Sequence, residues 1–356
     1  MSQSTDTSNQ VRMIGSIREL SPRLREVTLQ SPTLATPEGF PFGGNPEGLT
    51  QVRILLPDGY ETERDRRYPV LYLLHGGGED HTAWTTPAER GRTEEITEGA
   101  PLIVVMPDGG IAGGYADWYS GGAPQWATFH LQHLTSWVDA TLRTIPNRTG
   151  RAIAGLSMGG GGLRYAAQRP DLFSATASFS GDIDILQPTS DWRGAGAFVA
   201  NQIWGDPATD EIRWRAVNGP DLAGNLANTD VALFTGNVGH PEGTFILAGA
   251  ERMHEELEVR GISHSFTLYD GMAHDWANWN RALDEWLPQL LGALARAERL
   301  PKRFSFTTTD DTYTAFGWTV SLTRDDTAFS TLEVTSPTDY SVTAPGASSV
   351  EVTPPR

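Results

Sequence analysis

The stretch 151–162, RAIAGLSMGGGG, constrains the fold of this chain more than any other. A short apolar run at 152–154 leads into GLSMG at 155–159, and further glycines and a helix-like segment follow. Glycines allow a sharp turn from a strand into a helix, which can hold a serine in a strained conformation with its hydroxyl exposed. This pattern is typical of a nucleophile elbow centred on Ser157. Taken alone, these five residues are equally consistent with a glycine-rich turn that carries an incidental serine.

The order of apolar and helix-like segments predicts an α/β protein with a mostly parallel sheet and helices on both faces. Continuous apolar runs, which indicate strands buried on both faces, alternate with amphipathic segments. The predicted strands are 68–74, 102–106, the elbow strand, 175–180, 231–235 and 265–269, preceded by two antiparallel edge strands at 24–30 and 49–56. The predicted helices are 129–145, 244–259 and 279–299, and 182–226 is expected to be an irregular insertion over the sheet.

The chain divides into three parts that differ in composition and predicted structure. Residues 1–15 are predicted to form a flexible N-terminal arm, and 16–300 the catalytic domain. From residue 301 to 356 the sequence consists of short Thr-, Ser- and Val-rich segments separated by turns, which predicts a small all-β module.

Composition excludes several functions. The net charge of −17 argues against nucleic acid or an anionic membrane as a partner. The absence of cysteine excludes disulfides, thiol nucleophiles and thiolate metal sites. No run approaches the about 18 apolar residues of a transmembrane helix, and the polar start lacks the apolar core of a signal peptide.

A serine nucleophile needs a general base and an acid that orients it. In α/β-hydrolases these follow the serine in the order acid, then histidine. His274 is the only histidine after the last predicted strand. Glu242 is the only carboxylate in the loop after the strand 231–235, and we predict that it orients His274. Asp182, which follows the preceding strand, is the alternative acid.

Attack of a serine on a carbonyl group also needs two N–H donors for the developing oxyanion. Met158, next to the serine, is one predicted donor, and the HGGG run at 75–78 supplies the other. Gly77 is our choice within that run, with Gly76 as the alternative.

Several further residues are weaker candidates for binding the substrate. His75 begins the HGGG run, and tryptophans in predicted loops could line an apolar wall, namely Trp118, Trp126, Trp204 and Trp276. Histidines and carboxylates show no metal-ligand spacing, so we expect no metal in catalysis and no cofactor.

With LLHGGG, MPDGG, GLSMGG and GMAHDW in register, the chain resembles the esterase D superfamily of α/β-hydrolases, which includes the mycolyltransferases. The resemblance covers roughly 52–291 and implies an α/β-hydrolase fold. It also implies a triad of Ser157, Glu242 and His274, and it favours a secreted protein trimmed of its signal peptide over a cytoplasmic one. Many relatives place an aspartate where this chain has Thr244, and better-known members lack the β-rich tail.

These features predict a carboxylesterase-type serine hydrolase that works through an acyl-enzyme on a small-molecule, carbohydrate or lipid ester. One alternative is an acyltransferase that moves the acyl group to a sugar or glycerol hydroxyl, as in mycolyltransferases. An alternative of another class is a non-catalytic protein that binds a carbohydrate or a partner on a hydrolase scaffold.

Overall fold

A nine-stranded sheet in the order β1-β2-β3-β5-β4-β6-β7-β8-β9 forms the centre of the computed structural model, which describes residues 11–86, 90–122 and 124–355. Its strands are β1 (Arg12–Glu19), β2 (Leu24–Gln30), β3 (Leu49–Leu55), β4 (Val70–Leu74), β5 (Ile103–Pro107), β6 (Arg151–Leu156), β7 (Ala175–Phe179), β8 (Asp230–Gly236) and β9 (His264–Tyr269). Strands β4 to β9 run parallel to one another, whereas β1, β2 and β3 pair antiparallel, β3 with the edge of the parallel part at β5. The predicted fold class is confirmed.

The parallel strands are apolar on both faces because helices cover both. Along β4, Val70, Tyr72 and Leu74 pack into one core while Leu71 and Leu73 pack into the other. The helices are α1 (Thr93–Ile96), α2 (Trp126–Thr128), α3 (Thr135–Thr141), α4 (Gly161–Gln168), α5 (Ala197–Trp204), α6 (Glu211–Arg215), α7 (Leu247–Val259) and α8 (Trp276–Arg296). Among the described residues, no helix is both long and apolar enough to cross a bilayer.

Two helical predictions need correction. A π-helical turn joins α2 to α3 over Phe129–Leu134, and the helix ends at Thr141, before the predicted residue 145. The insertion 182–226, which we expected to be irregular, contains α5 and α6. Glycines and prolines flank these two short helices, so the sequence shows too few helix-like positions in a row to predict them.

The first strand, β1, is the outer edge of the sheet, and all eight of its residues are exposed. Residues 12–15 therefore belong to a strand, although the sequence places them in the flexible arm; residues 1–10 of that arm lie outside the described residues. The pairing of β1 with β2 shifts register between Ile14 and Arg18, where Gly15 has a φ of 76°. A strand with this composition and no buried face carries little period-2 signal.

Six short strands follow α8: β10 (Phe304–Thr308), β11 (Thr312–Ala315), β12 (Trp318–Thr323), β13 (Ser330–Ser336), β14 (Asp339–Thr343) and β15 (Ser349–Thr353). They form two three-stranded antiparallel sheets, β10-β13-β14 and β11-β12-β15, around a separate apolar core. These strands form in the Thr-, Ser- and Val-rich segments for which the sequence predicts an all-β module. Asn225 ties this module to the α/β part, because its side-chain amide exchanges two hydrogen bonds of 2.9 and 2.7 Å with the Thr307 backbone.

Candidate active site

Ser157 follows β6 in a turn that only small neighbours permit. Its φ is +53°, in the left-handed region that is costly for a residue with a side chain. A Cβ atom on Gly155 would lie 2.3 Å from the Gly159 carbonyl oxygen, and one on Gly159 would lie 2.6 Å from that of Leu74. The glycines of the motif thus allow the close backbone approach that this turn requires.

His274 lies between β9 and α8, and its Nε2 is 2.9 Å from Ser157 Oγ. The following residue, Asp275, caps α8 by accepting a hydrogen bond of 3.1 Å from the Asn278 N–H. The Trp279 ring packs edge-on against the imidazole with a centroid separation of 4.9 Å. The start of α8 therefore positions the imidazole against the elbow.

Glu242 lies after β8 and contacts the other side of the imidazole, with Oε2 2.6 Å from His274 Nδ1. The carboxylate is fully buried, and its Oε1 accepts hydrogen bonds from the Thr235 hydroxyl at 3.0 Å and from the Gly236 N–H. Burial alone raises the pKa of Glu242, but the hydrogen bonds from His274 and Gly236 outweigh it and hold the pKa below its ordinary value. The residue is therefore an ionised acceptor for the Nδ1 proton.

Asp182, the alternative acid, is not the partner of His274 in this structure. Its backbone N–H donates to the Ser157 carbonyl oxygen at 2.8 Å, so the residue lies behind the elbow. Its side chain is buried, and Oδ1 has no hydrogen-bond partner among the described residues. This burial raises the pKa of Asp182 to about 6, although the nearby Arg164 opposes the shift.

The two predicted oxyanion donors lie side by side. An ideal Cβ position at Gly77 is 3.9 Å from Met158 Cβ, and the hydrogen bonds of the described residues include none from either backbone N–H. Gly76, the alternative donor, already gives its N–H to Glu79 Oε2 at 3.1 Å. The structure therefore favours Gly77 over Gly76 as the donor of the HGGG run.

The weaker candidates for substrate binding have different environments. His75 is 1% exposed, and both of its ring nitrogens make hydrogen bonds within the protein. Trp204 is buried against Trp192 and Trp214. Neither side chain offers a surface to a ligand, so these two assignments do not fit the structure. Trp276 is half-buried beside Trp279.

Trp118 lies in the wall of a cleft of about 270 Å³ next to the HGGG run. Other walls come from residues that the sequence did not indicate, namely Phe40, Ile111 and Asp108, and from Trp126. The Ile111 carbonyl oxygen accepts the Gly78 N–H at 2.8 Å, so one rim of the cleft is joined to the predicted oxyanion loop. No sequence pattern links the loop around Phe40 to this site, because the connection exists only in the folded chain.

Residues 45–290 match the family model Esterase, described as "Putative esterase". The chain is 36% identical over 230 residues to Esterase Rv1288 of Mycobacterium tuberculosis, which covers 60% of this chain and 50% of that protein. It is 29% identical over 257 residues to the diacylglycerol acyltransferase/mycolyltransferase Ag85B of Mycolicibacterium smegmatis, covering 62% of this chain and 76% of that protein.

Among solved structures, a ferulic acid esterase superposes with a TM-score of 0.56 at 25% identity, covering 76% of this chain and 99% of that one. The chain spans about half the length of the esterase relatives from M. tuberculosis. The family model covers more than two thirds of this chain and includes the turn, the loop and the segment that carry Ser157, Glu242 and His274. The chain therefore belongs to the Esterase family of α/β-hydrolases.

Proposed function

We propose that the protein hydrolyses carboxylic esters through an acyl-enzyme formed on Ser157. The observation that carries this proposal is the continuous hydrogen-bonded chain from Ser157 Oγ through His274 to Glu242, with separations of 2.9 and 2.6 Å. These are the contacts that a serine nucleophile, its general base and an orienting acid require.

In the first half-reaction, Ser157 Oγ attacks the ester carbonyl carbon while His274 Nε2 accepts the hydroxyl proton. The Nδ1–H of His274 donates to Glu242, so the imidazole presents an unprotonated Nε2 to the serine before the attack. The ionised carboxylate then stabilises the imidazolium that forms. Because Glu242 is buried and anchored by Thr235 and Gly236, it holds the ring without rearranging.

The carbonyl oxygen becomes an oxyanion, which accepts hydrogen bonds from the N–H groups of Gly77 and Met158. Collapse of the tetrahedral intermediate breaks the bond to the alcohol oxygen, and His274 returns the proton to that oxygen. Water then attacks the acyl-enzyme by the same route: His274 takes a proton from the water, and Ser157 leaves with that proton. The acid is released and the serine is regenerated.

Turnover of p-nitrophenyl acetate and butyrate tests the proposal. We expect Ser157→Ala to reduce kcat by at least about 10³-fold, because the acyl-enzyme cannot form. Ser263→Ala, at an exposed serine, is the matched control and should behave like the unmodified protein. A fluorophosphonate probe should add one adduct that intact-mass analysis and peptide mapping locate on Ser157. Equal turnover by the unmodified protein and Ser157→Ala would refute the assignment.

A second candidate function is acyl transfer to a sugar or glycerol hydroxyl. The observation that favours it is the identity of 29% to a protein named diacylglycerol acyltransferase/mycolyltransferase. Both reactions share the acyl-enzyme and differ only in whether water or an alcohol attacks it. Product analysis with an ester donor and trehalose or glycerol therefore separates them, since a new ester of the added alcohol forms only in transfer.

A further inference from the structure

Several backbone polar groups of the HGGG run make hydrogen bonds within the protein. The His75 carbonyl oxygen accepts from the Tyr115 hydroxyl at 3.0 Å. The Gly76 N–H donates to Glu79 Oε2 at 3.1 Å, and the Gly78 N–H donates to a carbonyl oxygen of the neighbouring loop at 2.8 Å. Between them, the Gly77 N–H has no acceptor in the part of the chain that the structure describes.

The His75 side chain, together with the Glu79 N–H at 3.4 Å, holds the Gly76 carbonyl oxygen and so affects where the Gly77 N–H points. His75 Nε2 accepts the Gly109 N–H at 2.9 Å, so the ring proton is on Nδ1. Nδ1 then donates to the Gly76 carbonyl oxygen at 2.8 Å. This carbonyl and the Gly77 N–H belong to one planar trans peptide unit and point in opposite directions. Holding the oxygen therefore fixes the N–H on the other side.

We propose that His75 and Glu79 are positioning residues that orient the Gly76–Gly77 peptide so that its N–H binds the oxyanion. His75 holds the carbonyl end of this peptide, and Glu79 holds the N–H of the peptide before it. His75 is buried, so its ring has little freedom to turn. This inference rests on the proposed function, since it assigns residues to the oxyanion site of the same reaction.

The role of Glu79 depends on a hydrogen-bond acceptor and not on charge. A carboxylate near a developing oxyanion is electrostatically unfavourable. A glutamine amide oxygen can accept the Gly76 N–H without that charge, so Glu79→Gln should keep the geometry. In the same way, the side-chain N–H of asparagine can replace the Nδ1–H of His75, whereas leucine offers no donor.

The experiment compares Glu79→Ala and His75→Leu with the conservative variants Glu79→Gln and His75→Asn. For each we would measure kcat and KM for p-nitrophenyl acetate and the inhibition constant of a trifluoromethyl ketone, which forms an oxyanion when it adds to the serine. Asp80→Ala is the matched control, because it removes a neighbouring carboxylate whose side-chain contacts among the described residues are hydrogen bonds from Thr82 and an ion pair with His81. Thermal unfolding followed by circular dichroism identifies variants that do not fold.

We expect Glu79→Ala and His75→Leu to lower kcat about tenfold to hundredfold, somewhat less than removal of an oxyanion donor. KM should change little, and the inhibition constant should rise by the same factor as kcat falls, because both depend on the oxyanion site. Glu79→Gln and His75→Asn should stay within about threefold of the unmodified protein.

The inference is overturned if Glu79→Gln loses as much kcat as Glu79→Ala, or if the inhibition constant does not follow kcat. If His75→Leu does not fold, the comparison of Glu79→Ala with Glu79→Gln tests the inference by itself. Ser157→Ala, measured in parallel, separates this failure from a failure of the proposed function. If Ser157→Ala keeps full turnover, the site itself is wrongly assigned, whereas an inactive Ser157→Ala with unaffected Glu79→Ala rejects only the positioning role.

Discussion

The loops after β7 and β8 each carry a buried carboxylate, yet the two acids have opposite environments. Glu242 after β8 receives hydrogen bonds on both oxygens, from His274, Thr235 and Gly236. Asp182 after β7 lies behind Ser157 and has an oxygen with no donor among the described residues. The pKa of Glu242 is lowered, whereas that of Asp182 is raised to about 6.

This difference shows that position along the chain does not identify a catalytic acid. Both residues follow neighbouring parallel strands and lie between Ser157 and His274 in the sequence, so the order along the chain is compatible with a triad for either acid. What distinguishes them is the supply of hydrogen-bond donors, which keeps a carboxylate ionised despite burial. The supply comes from Thr235 and Gly236 at the end of β8, whereas Asp182 Oδ1 has no donor among the described residues.

The largest expected difference between substitutions of the two acids is in turnover. Glu242→Gln should lower kcat for p-nitrophenyl acetate roughly 10³- to 10⁴-fold, because a neutral amide neither stabilises the imidazolium nor fixes its tautomer. Asp182→Asn should stay within about threefold in the same assay, since its side chain does not contact His274. If Asp182→Asn were the more damaging change, the acid role would move to Asp182.

The second expected effect is on stability and depends on pH. The ordinary pKa of Asp182 is 3.8 and its value in the folded protein is about 6. Between these values the folded state binds more protons than the unfolded state, so stability falls as pH rises through this window. Asp182→Asn removes this dependence. It should therefore raise the free energy of unfolding by about 1–3 kcal/mol above pH 6 and give no such gain below pH 4.

Urea unfolding of the unmodified protein and Asp182→Asn at pH 4 and pH 8 measures this difference. The matched variant is Glu242→Gln, for which the sign reverses, because a lowered pKa contributes stability above the unfolded value and loses it as the pH falls. An equal shift for Asp182→Asn at both pH values would contradict burial of an ionisable Asp182.

A third, smaller effect concerns two buried threonines on the neighbouring strands. The Thr235 hydroxyl donates to Glu242, whereas the Thr176 hydroxyl on β7 has no partner among the described residues. Thr235→Val should lower kcat about threefold to tenfold, because one donor to the carboxylate is lost. Thr176→Val should leave kcat unchanged and keep or raise the midpoint of thermal unfolding. Equal kcat losses in the two variants would show that the hydroxyl of Thr235 has no special role.

The smallest effect is expected from removing the β module. Across the described residues, its hydrogen bonds to the α/β part involve Asn225 and Asn228, which lie just before β8 and make no hydrogen bond to Ser157, His274 or Glu242. A chain ending at residue 300 should therefore retain p-nitrophenyl acetate turnover within about threefold. The measurement is kcat of the truncated chain after circular dichroism has shown it to be folded; a folded but inactive chain would assign the module a part in the chemistry.

Much of the fold follows from local patterns. Runs such as 70–74 and 103–107 are apolar at consecutive positions because both faces are covered, and this signal survives in the sequence alone. β1 escaped prediction because no face of it is buried. Helices α5 and α6 are not predicted because they are short and separated by turn residues, so neither is long enough to show a clear helical spacing of apolar residues.

The residues of the candidate site likewise fall into those with a local sequence signal and those without one. Ser157 and His274 have local signals, a glycine-bracketed turn and a lone histidine after the last strand, and the structure brings their side chains within hydrogen-bond distance. Glu242 was one of two candidate acids, and its donors Thr235 and Gly236 had no signal of their own. His75 was assigned to the substrate, but its hydrogen bonds run to the backbone of Gly76 and Gly109. Such roles depend on which backbone groups lack partners after folding.

The register shift in β1 has a consequence for the behaviour of the protein in concentrated solution. The outer edge of this strand could otherwise accept a strand from another molecule along its whole length. The irregularity between Ile14 and Arg18, with Gly15 at a φ of 76°, interrupts the regular spacing of its main-chain groups near the middle. A strand approaching from solvent finds only two short segments to pair with. The irregularity therefore disfavours the addition of a further strand at the edge of β1.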